Sequence, residues 1–331
     1  MTRATDHIDH EIPELARHLP QCRGERLVTD GGLETDLIFH AGLDLPHFAS
    51  FPLLDDAEGR GHLTAYYDGY AAIAEVAGAG LMLETPTWRA NTDWGAEVGY
   101  DQAALDRVNA DAIAFVAALR DRYRTESPAV GEIVLSGQLG PKGDGYQPAE
   151  AADTAAFADY HRPQLAAFKA AGADLATALT LTTPGEALGI AQAAADVGLP
   201  VATWFTVETD GRLPDGTPLA DAIDAVDAAG SPAYFGVNCA HPEHLAGAFP
   251  DAAGEPQRWA RRILGMRYNA STCSHAELDE AEELDEGDLG VLGAGHAQVS
   301  AAFPWLTILG GCCGTDSRHV ASLWGQKASL A

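Results

Sequence analysis

At 331 residues and 47% hydrophobic, the chain can bury a large core and has the length of one barrel-sized domain. Its 48 acidic against 20 basic residues give a formal charge of −28, which argues against nucleic acid and anionic membranes as partners and favours a cationic small molecule. The start from Met1 to Gln21 is charged and His-rich, and no apolar run reaches the roughly eighteen residues of a membrane span, so a cytoplasmic protein is expected.

In chain order, short apolar or β-branched runs alternate with Ala-rich helical stretches. A strand at 26–29 precedes a helix at 62–77, then a strand at 81–84 and a helix at 102–123. Strand 133–136 leads to helix 154–171, strand 174–181 to helix 186–197, and strand 201–207 to helix 219–229. The last pairs are strand 233–237 with helix 242–248, strand 263–267 with helix 290–302, and strand 305–309 with helix 318–325. Eight such pairs predict an α/β fold, a single (β/α)8 TIM barrel over 1–331 in which 1–24 is an N-terminal extension. Segments 125–132 and 251–258 read as ordinary surface connections, and the acidic run 277–286 as a solvated face.

The active site of such a barrel forms where strands end and βα loops begin. Five segments with unusual residues fall there: Asp30-Gly31-Gly32, Glu84-Thr85-Pro86-Thr87-Trp88, Gly137-Gln138-Leu139-Gly140-Pro141, Asn238-Cys239 and Gly311-Cys312-Cys313-Gly314. Asp30 reads as a carboxylate aimed at an amine, with Gly31 and Gly32 letting a ligand approach the backbone, or as an Asx-capped turn. Glu84, Thr85 and Gln138 are candidate substrate contacts; Glu84 and Thr85 serve equally well as loop caps. Trp88, Trp94 and Trp204 are candidates for cation–π contact with a cationic ligand, against ordinary packing. His241, followed by Pro242, reads as a surface position or a helix start rather than as a ligand or a general acid.

Five cysteines form an odd, sparse set that suits metal or reaction chemistry better than a disulfide framework. Adjacent side chains on a strand point to opposite faces, so Cys312 and Cys313 can reach one ion only if Gly310, Gly311 and Gly314 let the backbone depart from strand geometry. With Cys239 they make an open three-thiolate zinc site, its fourth position left to a substrate. Cys273 is the rival ligand, and Cys22 lies before the barrel. Zinc held by three thiolates would deprotonate a fourth, substrate thiol, and such a thiolate attacks a methyl group best on a positively charged sulfonium or quaternary ammonium.

Together Asp30-Gly31-Gly32, Gly140-Pro141, Val237-Asn238-Cys239 and Gly311-Cys312-Cys313-Gly314-Thr315 resemble the homocysteine S-methyltransferase family over most of the chain. The resemblance implies a (β/α)8 barrel, a catalytic zinc held by Cys239, Cys312 and Cys313, and methyl transfer to homocysteine from S-methylmethionine, S-adenosylmethionine or betaine. It also implies that Asp30, Gly31 and Gly32 meet the amino-acid end of the acceptor and that Asn238 supports the zinc loop. One departure stands out: Leu179 occupies the place of a glutamate that binds the homocysteine amino group. Glu84 or Glu208 would then substitute for it, or the acceptor is another thiol. The chain has no room for folate and cobalamin domains, so a freely diffusing donor is implied. Two rival functions stay open, a non-catalytic zinc barrel closed by Cys273 and a demethylase of an unusual methylated compound. A homo-oligomer is compatible with either.

Overall fold

Eight short apolar strands pair in parallel, each with its neighbour in sequence, and the last returns to the first. They are β1 (Leu27–Val28), β2 (Gly80–Glu84), β3 (Ile133–Leu139), β4 (Leu175–Leu181), β5 (Val201–Phe205), β6 (Tyr234–Ala240), β7 (Ile263–Tyr268) and β8 (Ile308–Gly311). Closure is made by Leu27 opposite Ile308 and Val28 opposite Leu309. The computed structural model describes residues 12–148, 153–230, 232–245, 248, 256–281 and 283–326. Residues 1–11 of the expected extension and 251–255 of the expected connection lie outside these.

The outer layer contains α1 (Leu33–Phe39), α2 (Ala57–Ala77), α3 (Thr92–Glu97), α4 (Gln102–Glu126), α5 (Thr154–Ala171), α6 (Pro184–Val197), α7 (Leu219–Ala229), α8 (Arg258–Arg261), α9 (His275–Asp279), α10 (Leu289–Ala302) and α11 (Ser317–Leu323). Asp56, Asp101 and Asp153 begin α2, α4 and α5 by accepting from the backbone N–H three residues on, satisfying donors that the first helical turn leaves unpaired. The sequence pattern anticipates the long helices but not α1, α3, α8 and α9, whose seven, six, four and five residues are too short to display a 3.6-residue period.

The barrel interior is a packed core. Trp204 of β5 is fully buried there, and a Cβ at Gly236 or Gly265 would collide with its indole. It therefore packs and does not face a ligand. Below it, Ile12, Ala16, Leu19 and Cys22 join Leu27, Leu175, Tyr234 and Leu264 in one apolar cluster. Gln21 Nε2 donates to Tyr234 Oη at 3.4 Å, and burial pushes the Cys22 thiol up to about 12. Residues 12–23 thus form the floor of the barrel.

Strand boundaries differ from expectation where function begins. β6 runs three residues past the expected end and takes in Cys239, and β3 extends to Leu139. β8 starts only at Ile308, because Trp305 turns its indole to donate to Ile263 O at 3.1 Å. The helix expected at 242–248 is a 3-10 turn over Pro242–Leu245, with 246–247 outside the described residues. Among the described residues, no helix is long and apolar enough to cross a membrane.

Candidate metal centre and substrate cavity

Cys239 is next to last in β6, yet its φ of 55° is left-handed. For a residue with a Cβ this costs on the order of 1–2 kcal/mol, so its surroundings must hold it. The β6–β7 register slips between Asn238 and Ala240, taking Cys239 out of the strand alternation. Thr180 of β4 is also left-handed, with φ 61°. Asn238 braces it: Oδ1 accepts from Thr180 N and Nδ2 donates to Thr180 Oγ1, both at 2.8 Å. His275 Nε2 lies 2.8 Å from Cys239 O, and its Nδ1 lies 3.0 Å from Glu208 Oε1.

Cys312 and Cys313 follow the end of β8 in a turn, so the backbone does leave strand geometry. Thr315 stitches that turn, with N and Oγ1 donating to Cys312 O at 3.0 and 2.7 Å. The turn sits directly on the β1 loop. A Cβ at Gly32 would stand 2.6 Å from Cys312 O, and one at Gly31 2.8 Å from Thr315 O. The two glycines therefore admit the cysteine loop as well as bordering the cavity, a role the ligand-approach reading did not foresee.

The Sγ atoms of Cys239, Cys312 and Cys313 all lie within 4.8 Å of one another. Hydrogen bonds from Cys239 and Cys313, helped by the Arg267 charge, hold the Cys312 thiol well below its ordinary range. The same contact with Cys312 raises Cys239. A thiolate flanked by two thiols is the arrangement that a thiophilic cation would replace. Cys273 is not in the cluster, and none of the five cysteines is disulfide-bonded. A second group, His40, Glu286 and Asp316, is already engaged by Arg318, whose Nη2 lies 2.8 Å from Glu286 and 2.5 Å from Asp316.

The three sulfurs border a cavity of about 370 Å³ at the C-terminal mouth. Of the residues expected to meet substrate, Asp30, Gly31, Gly32, Gln138 and Asn238 line it, and so does Leu179. Glu84, Thr85 and Glu208 do not. Glu84 is buried against Arg267 and Thr29, Thr85 accepts from Gln138 N at 2.9 Å, and Glu208 is turned to His275. Trp88 lines the cavity, whereas the Trp94 indole lies against the Arg89 guanidinium, 3.7 Å from the ring centroid. His241 does precede a helical turn, its Nδ1 accepting from Glu243 N at 3.3 Å, but it is buried and burial lowers its pKa. The acidic run is not only a solvated face: Leu278, Ala281, Glu283, Leu284 and Asp285 wall the cavity.

Three contributors escape sequence reasoning. Arg267, the last residue of an expected strand, is buried, with Nη2 2.5 Å from Asp30 Oδ1, Nη1 paired with Glu84, and Nε donating to Gly311 O at 2.9 Å. Its signal is a charged residue ending an apolar run. Tyr146 Oη stands 3.2 Å from Cys239 Sγ and 3.5 Å from Cys313 Sγ. Asp144 Oδ1 accepts from Tyr146 N at 2.7 Å, so the Gly-Asp-Gly of 143–145 builds the turn that aims it. Glu34 faces the cavity from the first turn of α1; burial raises its carboxyl to about 7, although Ser50 Oγ donates to it at 2.7 Å.

Comparison with known proteins agrees with this architecture. The curated homocysteine S-methyltransferase of Escherichia coli (strain K12) is 26% identical over 254 residues, 72% of this chain and 77% of that protein. Crystal structures of the Escherichia coli homocysteine methyltransferase MmuM share the fold. Its metallated form matches with TM-score 0.69 at 21% identity over 91% of this chain and 96% of that one. Its oxidized form gives 0.70 at 23% identity over 95% and 99%. The family described as homocysteine S-methyltransferase matches residues 27–325, from the first strand of the barrel past its last helix, and the chain belongs to that family.

Proposed function

We propose that this protein is a zinc-dependent methyltransferase that moves a methyl group from a sulfonium or quaternary ammonium donor to a small thiol, with homocysteine the first candidate acceptor. The observation that carries the reading is the convergence of Cys239, Cys312 and Cys313 on one side of the cavity. Three soft sulfurs within 4.8 Å suit a tetrahedral zinc, whose sulfur ligands would stand roughly 3.8 Å apart at a Zn–S length of about 2.3 Å. When bound, zinc supplies the Lewis acidity that keeps an acceptor thiol ionised at neutral pH.

The chain's own residues do the rest. Arg267 fixes Gly31 and Gly311 through their carbonyls and so sets the distance between the acceptor wall and the cysteine turn. Asn238 holds the strained Thr180–Cys239 pair, and Tyr146 closes over two of the sulfurs. The acceptor's sulfur donates its electron pair to the methyl carbon while the bond from that carbon to the donor's sulfur or nitrogen breaks, its electrons returning to the donor atom. The acceptor proton leaves to solvent. A cationic donor becomes neutral at the reacting atom in this step, and a cavity bordered by Asp144, Glu283 and Asp285 favours the cation.

Because Cys273 stands apart from the sulfurs, a protein-closed four-thiolate site has no fourth ligand among the described cysteines, which favours the catalytic reading over a non-catalytic barrel. We read the barrel and its floor as one catalytic unit acting on freely diffusing substrates. Metal analysis and a donor screen test the proposal together. One zinc per chain, lost in Cys239→Ala, Cys312→Ala and Cys313→Ala but kept in Cys273→Ala, is the expected result, with turnover from S-methylmethionine, S-adenosylmethionine or betaine. Full zinc in the Cys312 variant, or transfer from methyltetrahydrofolate alone, would overturn it.

A further inference from the structure

The wall that should recognise an acceptor amine is apolar at Leu179, and the two acids that sequence offers in its place, Glu84 and Glu208, do not line the cavity. Glu34 does. It follows Gly31-Gly32, whose packing against Cys312 O brings the start of α1 beside the cysteine turn. One carboxylate oxygen, Oε1, accepts from Ser50 Oγ at 2.7 Å, and that hydroxyl also lies 3.2 Å from Pro86 O. Ser50 therefore anchors the side chain from behind. The residue's own backbone N–H also approaches the carboxylate, and no ion pair to Glu34 is formed among the described residues. Asp30, the other carboxylate on this side, is matched by Arg267.

We propose that Glu34 is the specificity-determining residue for the acceptor, its carboxylate receiving the α-ammonium of a thiol amino acid in place of the acid missing at Leu179. The inference rests on the methyltransferase reading above. An anchored carboxylate with lone pairs to spare suits an N–H donor, whereas a sulfonium or quaternary ammonium has no proton to offer it. In homocysteine the α-ammonium nitrogen is four bonds from the sulfur, and Glu34 lines the same cavity as the three cysteines.

The test compares homocysteine with its amine-free counterpart, 4-mercaptobutyrate, in the wild-type holoenzyme and in Glu34→Gln, with one sulfonium donor throughout. Calorimetric titration of each thiol runs alongside. The proposal expects Glu34→Gln to lower kcat/KM for homocysteine about 10- to 100-fold, through KM, with the same loss in calorimetric affinity. 4-Mercaptobutyrate should be unchanged or improved. Equal effects on the two thiols, or none on homocysteine, would overturn the role of Glu34. Turnover of neither thiol by the wild-type enzyme would instead count against the methyltransferase reading, and the calorimetric comparison would still decide the place of Glu34. If Glu34→Gln is poorly folded, Glu34→Asp replaces it, with the same selective loss expected because the shorter side chain withdraws the carboxylate from the cavity.

Discussion

Arg267 Nε donates to Gly311 O at 2.9 Å, so a cation rooted in β7 grips the residue that leads into the cysteine pair. The same guanidinium pairs with Asp30 and Glu84, both buried. Removing it would leave two uncompensated carboxyls in the barrel mouth. Arg267→Met should therefore lose about 3–5 kcal/mol in urea unfolding, and the triple variant with Asp30→Asn and Glu84→Gln should regain a large part of it. A single-variant loss below about 1 kcal/mol would show that these charges are solvated in solution.

Asn238 satisfies the Thr180 backbone N–H at a site where the chain is left-handed on both sides of the contact. Asn238→Ala orphans that buried donor, at a cost of about 1–3 kcal/mol, and frees the backbone of Cys239. Metal affinity should fall with stability. Unfolding curves recorded with and without metal separate the two, since the deficit should be larger in the metal-loaded protein.

Tyr146 touches two of the three sulfurs through a single hydroxyl, and its ring stacks on His275 at 4.3 Å. Tyr146→Phe keeps the stack and deletes the hydrogen bonds. Competition with a chelator should show metal held about tenfold more weakly, with the fold unchanged by circular dichroism. Unaltered metal retention would assign the hydroxyl no part in holding the cluster.

Glu34 gives a pH dependence of defined sign. Its carboxyl is raised from an ordinary 4.5 to about 7, chiefly by burial, so the folded protein binds that proton more tightly than the unfolded chain. Stability from this group is present below pH 4.5 and lost as pH rises towards 7. Glu34→Gln removes the titration. It should unfold at the same denaturant concentration as wild type near pH 4.5, and gain about 1–3 kcal/mol over it at pH 8. Equal stability of the two proteins at pH 8 would contradict the burial of this carboxyl.

The strands and long helices were legible because burial imposes its own spelling: Val201–Phe205 is β-branched or apolar throughout, and Thr154–Ala171 matches the expected helix residue for residue. The sulfur cluster was legible because paired cysteines between glycines have few other uses. What stayed hidden depends on distant segments meeting. Nothing near Asp30 in the sequence announces Arg267, since the two are joined only by closing the barrel. Likewise Glu84 reads as a free acid until its partner is known. Glu34 lies two residues from the Asp30-Gly31-Gly32 motif and is masked by it, and nothing around Tyr146 in the sequence announces the two distant cysteines that its hydroxyl meets.

The packed interior around Trp204, closed beneath by Ile12, Ala16, Leu19 and Cys22, makes the barrel a cup rather than a tube. Phe39, Phe48 and Trp88 line the cavity that holds the sulfurs, so what reaches them enters, and what is made leaves, on the open side of the cup. Two substrates sharing one doorway cannot pass each other. The ligand seated deeper must arrive first and depart last, so the order of traffic follows from the shape of the vessel before any affinity is considered.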